Sequence, residues 1–317
     1  NFSNTFSAQN KYSNGIFSGS ALKVFAMFIM FIDHAGILLI APWPEAWTPW
    51  FTYSVGSQIY YYCLYRLFRD IGRLAFPIFG FLLLEGFLHT SSKPRYARNL
   101  FLFALLSEIP FNLMLGGQWL YPQGQNIFFT LLIAFLCMWG LETFTGKPIL
   151  QLLCILAALA AAYWGQVDYG INGIVFLLIL YLFRYQPVYQ TVFGCLSLYF
   201  EWIACLAFIP IRLYNGKRGF IHGKYLKYLF YAFYPLHILL LVILNRLIYG
   251  GIDQTNNKPI RRLLPLGAAA SDHLILLIQK AFLCRKPLQE RLFHTPGIYS
   301  CRETPDEAGL PAPGIPE

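Results

Sequence analysis

Long apolar runs separated by short polar or basic connections dominate the chain. A helix needs about 20 mainly apolar residues to cross the hydrocarbon core of a bilayer, and eight runs approach this length. They cover residues 21–41, 73–89, 98–116, 126–141, 149–164, 168–183, 189–211 and 228–249. The pattern therefore predicts an all-α fold, a polytopic integral membrane bundle of about eight transmembrane helices.

The segments between and beyond these runs differ in composition. Residues 42–69 are rich in Trp and Tyr, which favour the headgroup level, so we expect part of this segment to lie along the membrane surface. Residues 250–317 gain Asn, Pro and charges, which predicts a poorly ordered tail. Within it, the apolar run 274–283 is too short to span and predicts an interfacial helix. Residues 1–20 form an N-terminal segment, and residues 21–249 the membrane domain.

Composition supports the membrane assignment and excludes other classes. Hydrophobic residues make up 57% of the chain and charged residues 12%, well below the share of about 25% in soluble domains. The net charge of +9 lies mostly in the connections, where it suits anionic headgroups or phosphate-bearing ligands. A soluble basic module, as expected of a nucleic-acid binder, is not evident. The seven cysteines form no CxxC pair, so no disulfide framework or metal site is predicted.

The basic connections also predict an orientation. Eight crossings would return the chain to the side on which it began, and most Lys and Arg residues of the connections would lie on that side. The basic segment 212–227 would be the main exception, on the opposite side. We therefore expect both termini in the cytoplasm.

Ionisable residues within apolar runs mark the candidate site, because such groups are costly in hydrocarbon without a partner or a function. They are Asp33, His34, Glu85, Glu108 and His237. With a rise of about 1.5 Å per residue, Asp33 lies roughly 18 Å into its run, Glu108 roughly 15 Å and His237 roughly 13 Å from the opposite face. These depths predict one layer of carboxylates and imidazoles, which suits a buried proton-handling site.

A structural interpretation of each residue stays open. Buried polar side chains also serve as hydrogen-bond pins between helices, and in this interpretation the Asp33–His34 pair clamps the first helix to its neighbours. Glu85 favours this interpretation, since it lies near the interface and within reach of Lys93. Three roles stay open for Arg73, at the start of the second run: it would neutralise Asp33, stabilise an oxyanion, or extend to the headgroups.

Blocks of sequence distributed over residues 20–249 resemble the TraX family, the membrane proteins that acetylate the N-terminus of conjugative pilin. These blocks are residues 22–36, which contain Asp33-His34, and residues 72–87, 107–112, 126–130, 168–170, 215–219 and 234–237. The resemblance implies an acetyl-CoA-dependent N-acetyltransferase of the bacterial inner membrane. It also implies a pilin N-terminus or a surface polymer as the acceptor.

Roles for the matched residues follow from the chemistry that this resemblance implies. We expect His34 to act as general base with Asp33 as its orienting partner, and Glu108 and His237 to complete the site. The oxyanion that forms on the thioester carbonyl would be stabilised by Arg73 or by the amide of Asn112 or Asn126.

The phosphates of acetyl-CoA need cationic contacts outside the hydrocarbon. Lys93, Arg95 and Arg98 are candidates, although a positive-inside topology explains the same charges. The turn that contains Asn215, Lys217 and Arg218 is a second candidate, because its glycines permit close backbone approach. An ordinary solvated loop beside headgroups is the alternative.

Two further functions remain compatible with the sequence. Buried Asp, Glu and His residues also form the relays of proton-coupled transporters and flippases. A non-catalytic assembly factor for surface fibres would use the same residues only to pack its helices.

Overall fold

The computed structural model describes residues 15–55, 58–221 and 223–249, which belong to one compact helical unit. The predicted tail 250–317, its apolar run 274–283 and most of the N-terminal segment lie outside these residues. Four described helical segments are long and apolar enough to cross a membrane: Gly19–Ile40, Leu64–His89, Lys93–Gly116 and Tyr228–Tyr249. Shorter apolar helices pack among them, as expected of a multi-pass membrane bundle.

The first crossing begins with helix α1, Gly19–Ala35, and continues through a π-helical turn at Gly36–Ile40. The Ser18 hydroxyl accepts a hydrogen bond from the Ala21 N–H and caps the start of α1. Leu22 and Ala26 pack into the core, whereas Phe28 is 62% exposed. An apolar side chain this exposed on a bundle helix suits contact with lipid.

The segment predicted to lie along the membrane surface divides into three parts. A 3-10 turn at Pro44–Trp47 precedes strands β1, Phe51–Val55, and β2, Gln58–Tyr62, which pair antiparallel with Phe51 opposite Tyr62. The all-α prediction therefore needs this hairpin as a correction, because β-branched and aromatic residues favour the extended backbone here.

The second crossing starts earlier than the predicted residue 73. Helix α2, Leu64–Gly72, follows the hairpin and is stacked on α3, Ala75–His89, with a break at Arg73-Leu74. Hydrophobic patterning did not predict α2 because three of its nine residues are charged. Two of them pair along its own turn, since Arg66 Nε lies 3.2 Å from Asp70 Oδ1.

The next four helices confirm the predicted runs in order. They are α4, Lys93–Gly116, α5, Ile127–Thr143, α6, Pro148–Trp164, and α7, Gly170–Leu182. Helices α5 to α7 contain 17, 17 and 13 residues, so each is shorter than a typical spanning helix.

The seventh predicted run does not cross the bundle. It forms helix α8, Pro187–Ser197, a 3-10 segment at Tyr199–Ala207, and the short helix α9, Phe208–Arg212. The Arg212 guanidinium donates to Thr191 Oγ1 at 2.7 Å, so the end of this run lies beside its beginning. We call residues 187–212 the re-entrant segment.

Close packing and a backbone bend explain this reversal. Glu201 has the non-helical dihedrals φ −139° and ψ 61°, which break the run in its middle. On the returning arm, the Phe208 ring packs against Gly194, where an added Cβ would overlap the ring. The absence of a side chain at Gly194 therefore lets the two arms approach closely.

The connection after the re-entrant segment returns to the start of α1. The Phe17 N–H donates to the Leu213 carbonyl at 2.9 Å, and the Ser20 hydroxyl donates to the Arg218 carbonyl at 2.7 Å. Helix α10, Lys224–Tyr249, therefore begins at the same end of the bundle as α1.

Helices α1 and α10 also meet at the other end of the bundle. There, Asn245 Nδ2 donates to the Leu38 carbonyl at 2.5 Å. Since α1 and α10 run parallel, Gly19 and Tyr249 lie at opposite ends. The prediction that eight crossings bring the chain back to one side is therefore wrong for the described residues.

The two ends of the bundle differ in charge. We call the end where α1 begins the basic end, because each of its connections carries a cation: Lys93, Lys147, Arg184, and Lys217 with Arg218. The other end, which holds β1 and β2, is the hairpin end. Its connections, residues 41–63, 117–126 and 165–169, contain no Lys or Arg. The basic segment 212–227, which was predicted to lie on the opposite side, thus lies at the same end as the other basic connections.

Candidate functional site

Two histidines from the first and last described helices form the centre of the site. His34 Nδ1 lies 2.7 Å from His237 Nε2, and the two rings are nearly parallel, with an interplanar angle of 10°. Both side chains are buried. The parallel course of α1 and α10 produces this pair, since it brings residues 203 positions apart to the same depth.

The hydrogen bonds of this pair fix which ring nitrogens carry protons. His237 Nδ1 lies 2.7 Å from the Phe233 carbonyl oxygen, which only accepts, so His237 Nδ1 donates. In a neutral imidazole, His237 Nε2 then holds a lone pair and accepts from His34 Nδ1–H. The remaining lone pair of the dyad therefore lies on His34 Nε2, the atom that a general base would use.

Asp33 does not orient His34, which corrects the role expected from the sequence. Asp33 Oδ1 accepts a hydrogen bond from Arg69 Nη1 at 2.6 Å. Consecutive residues of an α-helix point about 100° apart, so Asp33 and His34 face different neighbours. His237, which was predicted only to share the layer, takes the orienting position instead.

Arg73 contributes to the site through a residue that the sequence did not indicate. Its Nη1 donates to Glu201 Oε1 at 2.8 Å, which joins the break between α2 and α3 to the bend of the re-entrant segment. Arg73 also hydrogen-bonds to the Tyr169 side chain. Arg73 is therefore paired inside the bundle and does not extend to the headgroups.

Glu108 lies against the start of α5. Its Oε2 accepts from Asn126 Nδ2 at 2.6 Å, and the same amide nitrogen donates to the Ala104 carbonyl at 2.8 Å. Asn126 Oδ1 accepts the Phe128 N–H and caps α5. The charges of Glu108, Asp168 and Asp33 all act on the Tyr234 side chain, which contacts the His34 ring. The predicted layer of carboxylates and imidazoles is thus one neighbourhood.

Asp168 belongs to this neighbourhood and lies in the turn between α6 and α7. Its backbone is fixed on both sides, since its N–H donates to the Gln125 carbonyl at 2.9 Å and its own carbonyl accepts from the Thr130 hydroxyl. Burial raises the pKa of the Asp168 carboxyl to about 6, although the charge of Arg73 opposes this shift.

The paired charged groups of the site are partly exposed. The exposed fractions of the side chains are 17% for Asp33, 15% for Arg69 and 22% for Arg73. Charged groups at membrane depth usually face a water-filled cavity or one another, and here they pair with one another. The ion pairs are therefore not sealed in the core.

Other candidate residues lie away from these ion pairs. Glu85 lies 3.9 Å from His89 and hydrogen-bonds to Tyr214, whereas Lys93 pairs with Glu142 at 2.6 Å. The expected Glu85–Lys93 pair is therefore wrong. Asn112 Nδ2, which was expected to stabilise an oxyanion, donates to the Trp119 carbonyl at 3.1 Å and so forms a structural hydrogen bond.

The candidate phosphate contacts all lie at the basic end. Arg95, Arg98, Lys217 and Arg218 are exposed, whereas Lys93 is held by its ion pair. Asn215 Oδ1 accepts the Lys217 N–H at 2.9 Å and shapes the turn, which contains Gly216 at φ 72°. Among the described residues, no group of three or more His, Cys, Asp or Glu residues is arranged to hold a metal ion.

Comparison with known proteins identifies the family of this helical unit. The family model described as TraX protein matches residues 18–245, which include α1, the re-entrant segment and most of α10. The chain belongs to the TraX family. The TraX match covers both histidines and each of the ion pairs described above.

A relative within the TraX family is "Probable fimbrial assembly protein FimC, serogroup H1" of Dichelobacter nodosus. It is 28% identical over 183 residues, which cover 56% of this chain and 66% of the relative. The match thus spans just under two thirds of the relative's own length. No solved structure matches the chain.

Proposed function

We propose that this protein is a membrane-integral acetyltransferase that moves an acetyl group from acetyl-CoA to an amine. The observation that carries the proposal is the His34–His237 dyad, whose hydrogen bonds leave one lone pair on His34 Nε2. The TraX family match and the buried charges around the dyad support it.

In this reaction, the lone pair on His34 Nε2 carries one proton from the amine to the leaving CoA sulfur. The neutral amine attacks the thioester carbonyl, the N–C bond forms, and the C–S bond to CoA breaks. His34 Nε2 accepts the proton that the amine loses and returns it to the departing CoA sulfur. His237 Nε2 holds the His34 ring through the Nδ1–H bond and stabilises the imidazolium that forms.

Orientation follows from the charge of the two ends. We infer that the basic end faces the cytoplasm of a bacterial inner membrane, because Lys and Arg are enriched in cytoplasmic connections. Acetyl-CoA would then bind at that end, with Lys217 and Arg218 as the main phosphate contacts and Arg95 and Arg98 beside them. Because Lys93 is paired with Glu142, its contribution would be smaller.

The position of the dyad along α1 separates donor from acceptor. His34 lies about 22 Å along α1 from Gly19, at 1.5 Å per residue, and thus nearer the hairpin end. We infer that the thioester arm reaches the dyad from the basic end and that the acceptor enters from the hairpin end. A pilin N-terminus fits this arrangement, in agreement with the assembly role in the relative's name.

The test uses purified protein in mild detergent with acetyl-CoA and a synthetic peptide that has a free, apolar N-terminus. We expect one CoA thiol released for each peptide that gains an acetyl group, as measured by thiol titration and intact mass. Thiol release without peptide acetylation would contradict acetyl transfer to amines. Substrate uptake into vesicles without acetyl-CoA would favour the transporter instead.

The natural acceptor is then found by comparing cells with and without the gene. We expect one surface protein or polymer to be lighter by one acetyl group in the cells without the gene. If all surface components keep the same mass while pili fail to assemble, the non-catalytic assembly factor would replace the enzyme.

A further inference from the structure

A buried carboxylate oxygen without a partner lies at the bend of the re-entrant segment. Glu201 Oε1 accepts from Arg73, but Glu201 Oε2 has no hydrogen-bond partner among the described residues. Only 9% of this side chain is exposed. Leaving a buried charged acceptor unsatisfied costs more than an ordinary hydrogen bond contributes, so a donor from outside the chain would stabilise this oxygen.

The reversal of the chain places this oxygen in the interior of the bundle. The re-entrant segment leaves helical geometry at Glu201 and returns to the basic end, which places its bend beside Arg73 in the interior. The charges of Arg69, Asp168 and Asp33 also act on Glu201. Oε2 therefore belongs to the same charged neighbourhood as the dyad, since the Arg69 charge also acts on His34.

The charges of this neighbourhood do not balance. Among the groups whose charges act on Glu201, Arg69 and Arg73 supply two positive charges, whereas Asp33, Asp168 and Glu201 itself supply three negative charges when ionised. Arg69 is paired with Asp33 and Arg73 with Glu201. Asp168 has no cation within ion-pair distance among the described residues, and its Oδ1 accepts only the Tyr169 N–H at 3.1 Å. The missing component is a singly charged cation with hydrogen-bond donors.

A primary ammonium group matches both observations. It carries one positive charge and three N–H donors, enough to satisfy Glu201 Oε2 and one oxygen of Asp168 together. We propose that Glu201 and Asp168 form a binding subsite for the primary ammonium group of the acceptor. The identification of this ligand as the acceptor rests on the proposed acetyl transfer, but the binding of a primary ammonium does not.

The subsite assigns amine selectivity to residues outside the dyad. A hydroxyl acceptor would satisfy the hydrogen bond of Glu201 Oε2 but leave the excess negative charge. The protein should therefore bind an ammonium ligand and discriminate against an uncharged alcohol of the same shape. Before transfer, the bound ammonium must lose one proton, because only the neutral amine attacks the thioester.

The test measures binding without acetyl-CoA, so that it does not depend on catalysis. Purified protein in mild detergent is titrated with n-butylammonium chloride or with 1-butanol, and the thermal unfolding midpoint is recorded at pH 7.5. We expect n-butylammonium, but not 1-butanol, to raise the midpoint of the parental protein. The substitution Glu201→Gln keeps an oxygen for Arg73 but removes the charge, and should weaken n-butylammonium binding at least tenfold.

Two further variants complete the design. Asp168→Asn should weaken n-butylammonium binding in the same way and keeps the test valid if Glu201→Gln does not fold. Glu85→Gln removes a largely buried carboxylate away from Glu201 and Asp168 and should bind n-butylammonium like the parental protein. Unchanged binding in both Glu201→Gln and Asp168→Asn would overturn the subsite, and so would equal stabilisation by 1-butanol.

The outcomes also separate this inference from the proposed function. Specific n-butylammonium binding without any acetyl transfer would overturn the acetyltransferase and keep the ammonium subsite. Acetyl transfer with the same KM for the amine in the parental protein and in Glu201→Gln would keep the enzyme and overturn the subsite.

Discussion

The Arg73 guanidinium donates to Glu201 Oε1 at 2.8 Å and thereby connects the interruption of one crossing to the bend of the re-entrant segment. This ion pair fixes the bend of the re-entrant segment against the break between α2 and α3 in the interior of the bundle. It also brings the unsatisfied oxygen of Glu201 into the neighbourhood of the dyad.

Breaking this pair should destabilise the protein. Removing one member of a buried pair typically costs about 3–5 kcal/mol, because the other charge stays buried without a partner. We expect Arg73→Leu and Glu201→Leu each to lower the thermal unfolding midpoint in detergent strongly, and the double variant to recover part of the loss. As a control, Lys93→Leu breaks the ion pair with Glu142, whose side chain is 49% exposed and stays solvated, and should cost about 1 kcal/mol or less. Equal midpoints for all four variants would contradict the anchoring role.

The reversal of residues 187–212 predicts a specific membrane topology. We expect single cysteines at Lys147 and Lys217 to be labelled by an impermeant maleimide from the same side, and a cysteine at Gln123 from the opposite side. These variants require a background whose native cysteines have been replaced. An uninterrupted seventh crossing would instead place position 217 opposite position 147. Labelling of 217 together with 123 would therefore contradict the re-entrant segment.

The basic end should recognise the phosphates of acetyl-CoA. Charged hydrogen bonds contribute about 1.5–3 kcal/mol each when protected, and less when exposed. We expect Lys217→Gln combined with Arg218→Gln to raise the KM for acetyl-CoA about tenfold, with less effect when 3′-dephospho acetyl-CoA is the donor. Lys147→Gln removes an exposed cation at the same end and serves as the control. If Lys147→Gln raises this KM as much as the double variant, Lys217 and Arg218 act only through the summed positive charge of the basic end, which would contradict direct phosphate contacts.

Asp168 should make stability depend on pH in a defined direction. Its pKa is raised to about 6 in the folded protein, so the folded state holds this proton more tightly than the unfolded state does. The stabilisation is complete below the ordinary pKa of about 4 and is lost as the pH rises through about 6. We expect the thermal midpoint to fall between pH 4.5 and 6.5 more steeply in the parental protein than in Asp168→Asn. Identical slopes would contradict this assignment.

Much of the fold follows from hydrophobic patterning, and the exceptions have physical causes. Run length predicted the helices well where charges stood at their ends, as at Lys93 and Lys147. Helix α2 was missed because Arg66, Arg69 and Asp70 make it appear polar, although these charges pair with one another and with Asp33. The re-entrant segment was missed because hydrophobicity records the environment of a residue and not the direction of the chain.

The sequence predicted which residues belong to the site, but not which of their side chains contact one another. His34, His237, Glu108 and Arg73 do share one neighbourhood, as intramembrane charges usually do. Which side chains meet depends on helix rotation, and the sequence does not give that rotation. Glu201 had one signal that was overlooked: it is the single carboxylate in the apolar run 189–211.

The most direct test of the account is the rate of acetyl transfer by His34→Gln, compared with His89→Gln, in purified protein of equal abundance and thermal midpoint. Loss of a general base typically costs 10²–10⁴-fold, so we expect kcat for peptide acetylation to fall by at least about 100-fold in His34→Gln. We expect His237→Gln to fall in the same direction, and His89→Gln, whose side chain is 74% exposed, to match the parental protein. Acetyl transfer by His34→Gln at the parental rate would contradict the account.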